Sequence, residues 1–336
     1  MRIVIAGAGA IGGYIGARLA KQGADVVLFA RGPHLKAMQD RGLRVIGAED
    51  GDFEVKLGSP DRGGDGPQVT GDLSTVGPCD VVFLGVKAHA LTGLAPSLAP
   101  LFGRDTIVVS TQNGVPWWYF QNIGGELNNL RLERVDPGGI IADAIEPRRV
   151  VGSLAYFATD IVEPGVIRHI EGNRLSFGEP DGSKSDRAKK IAETLIAAGF
   201  RCPVTTRFRH EIWVKLLGNV AFNPISALTG GTLEELVRNA DTCRVVRDIM
   251  VETEAVAARL GIELPISIDQ RIAGAEKVGA HKTSMLQDLE AGRPMEIEAV
   301  VGAVVELGER LGVPMPATRT VYACVKLLDE KKRRSA

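Results

Sequence analysis

Over the first 205 residues the chain alternates short apolar runs with amphipathic stretches, and after that the period changes. Arg2 to Ala6, Asp25 to Arg31, Asp80 to Val86 and Thr106 to Thr111 are continuous runs rich in valine and isoleucine. Such runs fit strands covered on both faces, which show no polar alternation. Helical stretches between them, such as Ala88 to Leu101, predict crossover helices on a parallel sheet. Two weaker strands are expected at Arg44 to Ile46 and Phe53 to Leu57, followed by a surface excursion with a mobile glycine- and proline-rich loop at 58–67. Val150 to Phe157, Val166 to Ile170 and Arg174 to Gly178, separated by short turns, predict an antiparallel extension of the sheet, and Ser185 to Ala198 a further helix. From Arg207 onward long helical patterns follow one another with almost no strand signal. The expected architecture is α/β, with a nucleotide-binding type of domain over 1–205 and an all-helical domain over 206–336.

The first strand runs directly into Gly7-Ala8-Gly9-Ala10-Ile11-Gly12 and then an amphipathic helix. In this context Gly-x-Gly-x-x-Gly is the mark of a Rossmann-type dinucleotide site. The first glycine allows a tight turn, the second lets backbone N–H groups approach a pyrophosphate, and the third lets the helix pack against the sheet. Residues 7–12 are therefore expected to bind cofactor. A secretory leader is the rival reading of an apolar run after Arg2, but glycines at fixed spacing have no place in one. The second strand ends in Arg31, where an NAD site would carry an acid for the ribose 2′-hydroxyl. A guanidinium can hold a 2′-phosphate, so the expected cofactor is NADPH/NADP+; the rival is an ordinary solvated arginine.

Composition narrows the picture without redirecting it. The 336 residues, 45% apolar and 24% charged with a formal net charge of -1, fit a two-domain globular protein and give no electrostatic pull toward nucleic acid or anionic membrane. Four scattered cysteines and five histidines lack metal-ligand spacing, so no metal is expected. Dispersed cysteines also suit reduced thiols and a cytoplasmic location. No apolar run approaches the ~18 residues of a membrane span. Oligomeric state is left open, a homodimer being compatible.

Within 210–223, Lys215, Asn219 and Asn223 recur at i, i+4 and i+8 on an otherwise apolar helix, a stripe about 80° wide. A helix this apolar all round should be buried, so its polar stripe should face a cavity holding a polar ligand, or else a satisfied internal network. Pro224 should kink or stop the helix just beyond Asn223. Thr283 to Glu298 reads as a helix, a glycine-proline break and a new helix, with acids that ordinarily lie on the surface.

Gly7-x-Gly9-x-x-Gly12, Arg31, Val86-Lys87-Ala88, Gln112-Asn113-Gly114, Lys215-x-x-x-Asn219-x-x-x-Asn223-Pro224 and Ser284-Met-Leu-Gln-Asp288 with Glu296 beyond it together resemble the ketopantoate reductases, in order and over nearly the whole chain. The resemblance implies NADPH-dependent reduction of 2-dehydropantoate to pantoate, a step of pantothenate and coenzyme A synthesis, by a Rossmann domain joined to a helical domain with the active site in the cleft between them. It implies Lys215 as general acid and Glu296 as its positioning partner and a ligand of the substrate hydroxyl. Asn113, Asn219, Asn223 and Ser284 would hold a 2-oxo acid, and Lys87, with Asn113, would lie beside the nicotinamide. Departures from the family are His89-Ala90 after Lys87-Ala88, and Val115-Pro-Trp-Trp-Tyr-Phe120 with a long segment to Arg134. Those aromatics either pack between domains or narrow the pocket. Rival functions are reduction of another branched or aromatic 2-oxo acid, and a non-catalytic NADP-binding sensor.

Overall fold

In the computed structural model, which describes residues 1–60 and 66–335, the apolar runs of the first half become the strands of one sheet. In chain order they are β1 (Ile3–Ala6), β2 (Val26–Phe29), β3 (Leu43–Ile46), β4 (Phe53–Val55), β5 (Gln68–Thr70), β6 (Cys79–Leu84), β7 (Phe102–Ser110), β8 (Val150–Glu163) and β9 (Val166–Gly178). Every residue of β1 and β2 is buried, as their unbroken apolar character requires. The sheet order is β4-β3-β9-β8-β7-β6-β1-β2-β5. From β5 to β8 neighbours are parallel, in the doubly wound pattern whose chain reverses direction of travel beside β1. β8 and β9 then pair antiparallel, and β3 joins β9 in parallel while pairing antiparallel with β4.

The helices of this part are α1 (Ala10–Lys21), α2 (Gly32–Arg41), α3 (Ala88–Leu94), α4 (Ile140–Ala144) and α5 (Asp186–Ala197). The crossover expected over 88–101 is α-helical only to Leu94; a 3-10 stretch, Ala95–Leu101, carries Pro96 and Pro100, which cannot donate to an α ladder. The two short strands expected at 166–170 and 174–178 form one strand, because its long partner β8 continues past a bulge at Gly172-Asn173 opposite Phe157. The excursion expected at 58–67 ends in a strand that sequence reading missed, β5, paired to β2; residues 61–65 of that loop lie outside the described residues.

The later residues form α6 (Phe208–Thr229), α7 (Leu233–Arg238), α8 (Ala240–Arg259), α9 (Ile268–Val278), α10 (Ser284–Glu290), α11 (Ala303–Leu311) and α12 (Pro316–Ser335). Trp213, Leu217 and Val220 of α6, Val246, Ile249 and Met250 of α8, and Val304 and Leu307 of α11 are all buried. Of the kink or stop expected just beyond Asn223, the stop does not occur: α6 runs through Pro224 to Thr229. Residues 220–227 are all buried, and burial of that turn outweighs the one hydrogen bond that proline removes.

The chain divides into two compact units. The first comprises Met1–Gln112, Phe120–Leu130 and Gly139–Phe208; the second comprises Asn113–Tyr119, Arg131–Gly138 and Arg209–Ala336. Two stretches from the earlier half thus belong with the later helices. Glu306, a buried carboxylate on α11, fastens one of them by accepting the N–H groups of Glu133 (3.0 Å) and Arg134 (2.9 Å). No helix among the described residues is long and apolar enough to cross a membrane.

Candidate active site

In the first unit, β1 ends at Ala6 and the chain turns at Gly7 with φ +112°. A Cβ there would fall 2.5 Å from Val86 Cγ1 and 2.8 Å from Val86 N, and one on Gly12 would fall 2.2 Å from the Gly7 carbonyl oxygen. Neither position can carry a side chain. Gly9, at the N-cap of α1, differs: its Cβ would meet only the Gly85 carbonyl oxygen, at 3.9 Å. The space above the helix start is therefore open, and no side chain caps it. α1 has no acid in its first turn and has Arg18 and Lys21 in its last, so its N-terminal N–H groups at Ala10, Ile11 and Gly12 face that space with their dipole unopposed. An open cradle of this kind fits a dinucleotide pyrophosphate.

Arg31 occupies the N-cap position of α2, just past β2. It is exposed, its guanidinium carbon 5.1 Å from the centre of the Phe29 ring, and it forms an ion pair with no carboxylate among the described residues. Lys87 holds the equivalent place before α3, half-buried, with His89 and Ala90 exposed beyond it. Gln112, which sequence reading quoted in a motif but gave no role, is buried and donates to the carbonyls of Leu84 (2.7 Å) and Val86 (3.0 Å) while accepting from Ser110 Oγ (3.0 Å). It fixes the backbone that leads to Lys87.

In the second unit, α6 is buried around nearly its whole circumference, and Lys215 and Asn219 are half-buried on it with Asn223 fully buried. Lys215 Nζ donates to Asn113 Oδ1 at 2.8 Å, and Asn113 Nδ2 donates to Glu296 Oε2 at 3.3 Å. One neutral amide thus links the ammonium to the carboxylate. Burial lowers the Lys215 pKa to about 8, the negative charge of Glu296 opposing it only in part. Asn113, Asn223, Ser284, Met285, Asp288, Glu296 and Val300 line a small recess beside this chain. Asn219 shares the stripe but is outside that lining.

The recess wall from 283 to 296 is locally specified. Thr283 caps α10 by accepting the Leu286 N–H (3.3 Å), which sets Ser284 at the helix start. Asp288 was expected on the surface with the other acids of this segment, yet it is buried, and Arg293 Nε donates to it at 3.1 Å. The pair closes the turn that delivers Glu296. The aromatic residues Trp117 to Phe120 are all buried and none lines the recess, so they do not narrow it. Tyr119 instead braces α6, accepting from Trp213 Nε1 at 2.7 Å, with its carbonyl accepting from Arg209 Nε at 3.0 Å. Burial pushes its phenol up to about 12, which keeps that oxygen protonated. Among the described residues no group of three or more His, Cys, Asp or Glu could hold a metal ion.

The family described as ketopantoate reductase PanE/ApbA matches residues 3–182, and its C-terminal counterpart matches residues 207–329. The chain belongs to the ketopantoate reductase family. Among its relatives, a 2-dehydropantoate 2-reductase from Mesorhizobium japonicum is 50% identical over 98% of both chains, and one from Archaeoglobus fulgidus is 31% identical over 97% of both. A candidate ketopantoate reductase from Ralstonia solanacearum MolK2 has a solved structure with TM-score 0.91 at 39% identity, covering 99% of this chain and 98% of that one. A D-mandelate dehydrogenase solved with NADH and anilino(oxo)acetate shares the fold (TM-score 0.81, 24% identity, 99% of each chain). As a ketopantoate reductase the chain has the α/β plan read from its sequence, a Rossmann-type sheet followed by helices.

Proposed function

We propose that this ketopantoate reductase family member reduces 2-dehydropantoate to pantoate with NADPH, residues 1–205 serving chiefly the cofactor and 206–336 the substrate. The observation that carries the reading is the Lys215–Asn113–Glu296 hydrogen-bonded chain beside a recess lined by further amide and hydroxyl groups. NADPH, when bound, supplies the hydride that reduces the ketone carbon. Residues 7–12 would hold its pyrophosphate on the α1 N-terminus, Arg31 its 2′-phosphate, and Lys87 its nicotinamide end.

Lys215 has two tasks in this reading. As an ammonium it stabilises the negative charge that develops on the ketone oxygen, and it then gives that oxygen its Nζ proton. With a pKa of about 8 it is roughly nine-tenths protonated at pH 7 and yet a better acid than an ordinary lysine. Glu296 keeps the ammonium favoured and accepts from the substrate hydroxyl, while Asn113 fixes the direction of the Nζ–H. Asn219, Asn223 and Ser284 offer donors to the substrate carboxylate and hydroxyl, which suits a 2-oxo acid. A sensor that only bound NADP would have no need of this set. Four free cysteines accompany the further expectation of a cytoplasmic location.

Steady-state kinetics with NADPH on a panel of branched and aromatic 2-oxo acids test the assignment. 2-Dehydropantoate should give the highest kcat/KM. Its failure to turn over while another acid does would overturn the assignment.

A further inference from the structure

Two residues after Glu296 the chain enters a π turn, Glu298–Gly302, which runs into α11. The Ala303 N–H bonds back five residues, to the Glu298 carbonyl, and so leaves the Ala299 carbonyl without the partner an α-helix would give it. That carbonyl accepts the Val115 N–H instead, at 2.9 Å. Gly114 passes directly over the turn with φ +88°, where a Cβ would lie 2.2 Å from Ala299 O and 2.4 Å from Ala299 C. Only glycine lets the two backbones meet, and the residue before it is Asn113.

The other side of the turn is clamped through a side chain. The Glu298 carboxylate accepts from Tyr322 Oη (2.7 Å) and Lys326 Nζ (2.9 Å) and lies 3.7 Å from an Arg134 guanidinium nitrogen. It folds back over Gly302, where a Cβ would fall 2.5 Å from Glu298 Oε2 and 3.3 Å from Tyr322 Oη. Helix interiors disfavour glycine, so its presence here is accounted for by the room this carboxylate needs. None of Glu298, Gly302, Tyr322 and Lys326 lines the recess.

We propose that the π turn is the element that aligns the proton-donating chain: through the Ala299 carbonyl it holds Gly114–Val115 and hence Asn113, and through the clamped Glu298 it holds the backbone that presents Glu296. Gly114, Glu298, Gly302 and Tyr322 are positioning residues in this scheme. It rests on the reading of Lys215 as proton donor. Among the groups facing Lys215 are the Glu296 carboxylate, whose charge opposes the effect of burial, and the neutral Asn113; another acid of the recess, Asp288, is paired with Arg293. Loosening the clamp lets Glu296 move away and weakens its support of the ammonium.

The test is a 13Cε NMR titration of Lys215 in lysine-labelled full-length protein, assigned with Lys215→Arg, alongside kcat and KM. In Glu298→Ala and Tyr322→Phe the Lys215 midpoint should fall by about half a pH unit or more, and kcat should fall roughly tenfold with the KM for NADPH unchanged. Glu298→Gln, which keeps an acceptor for Tyr322, should recover most of both. Folded variants with a lowered Tm but an unchanged Lys215 midpoint and kcat would overturn the proposal. The NMR midpoint needs no substrate, so a wild type that fails to reduce 2-dehydropantoate would refute the proposed activity and leave the alignment to be judged on the midpoint alone.

Discussion

Lys215 is the residue at which packing and chemistry meet. Burial makes its charged form costly, and Glu296 returns only part of that cost, so the lysine titrates near 8 rather than at its ordinary 10.5. Two predictions have opposite signs. Reductive kcat should fall as pH rises through about 8, where the donor loses its proton; a flat profile from pH 7 to 10 contradicts the assignment. The share of stability that comes from Lys215 should move the other way. At that site the unfolded chain binds more protons than the folded one between about 8 and 10.5, so the unfolding free energy of wild type relative to Lys215→Met should rise with pH by roughly 3 kcal/mol at most in chemical denaturation; the opposite pull of buried Cys79, Cys202 and Tyr119, all pushed up to about 12, is common to both proteins and drops out of that difference. At Arg31, exposed and without a carboxylate partner among the described residues, Arg31→Ala should raise the KM for NADPH at least tenfold and leave that for NADH nearly unchanged. Equal effects would retire the 2′-phosphate role. Much of this was legible in the chain, because i, i+4, i+8 spacing on an apolar helix already announces an internal polar stripe. Asp288 was not legible: an acid in an amphipathic segment looks solvated until its arginine partner, five residues on, is seen to fold back.

Among the elements, those with a strong local period were the most legible. β1 and β2 are continuous apolar runs, β6 and β7 each contain one (Val81 to Leu84 and Ile107 to Val109), and α1 follows its glycine turn as the motif requires. Elements decided by a distant partner were not. β5 has three residues and exists because β2 offers an edge; β9 is continuous because β8 is long; α6 passes Pro224 because its surroundings are buried. The π turn has no sequence period of its own, being fixed by a backbone contact from residue 115. The glycine turn allows a test at this scale. Gly12→Ala puts a Cβ 2.2 Å from the Gly7 carbonyl oxygen, so the turn must open. NADPH affinity measured by fluorescence should drop at least tenfold, while the Lys215 NMR midpoint stays where it was. Unaltered affinity would remove the turn from the cofactor site.

For the whole molecule, the proposed work would divide between the two units by their chemistry: a backbone cradle with an adjacent guanidinium lies in the first, and an ammonium, three amides and carboxylates in the second. Segments 113–119 and 131–138 belong with the second unit although they interrupt the first in sequence, and nothing in their local pattern announced that. Binding linked to folding should be visible globally. NADPH at about 100 times its Kd should stabilise the protein by about 2.7 kcal/mol and raise Tm, and Arg31→Ala should remove about half of that increment or more at the same concentration. The most direct test of the account is the turnover of 2-dehydropantoate with saturating NADPH by wild type and Lys215→Ala, with NADPH binding measured in parallel. Wild type should turn over, and the variant should lose kcat by roughly 100- to 10,000-fold while binding NADPH equally well. Equal turnover by the two proteins would contradict it.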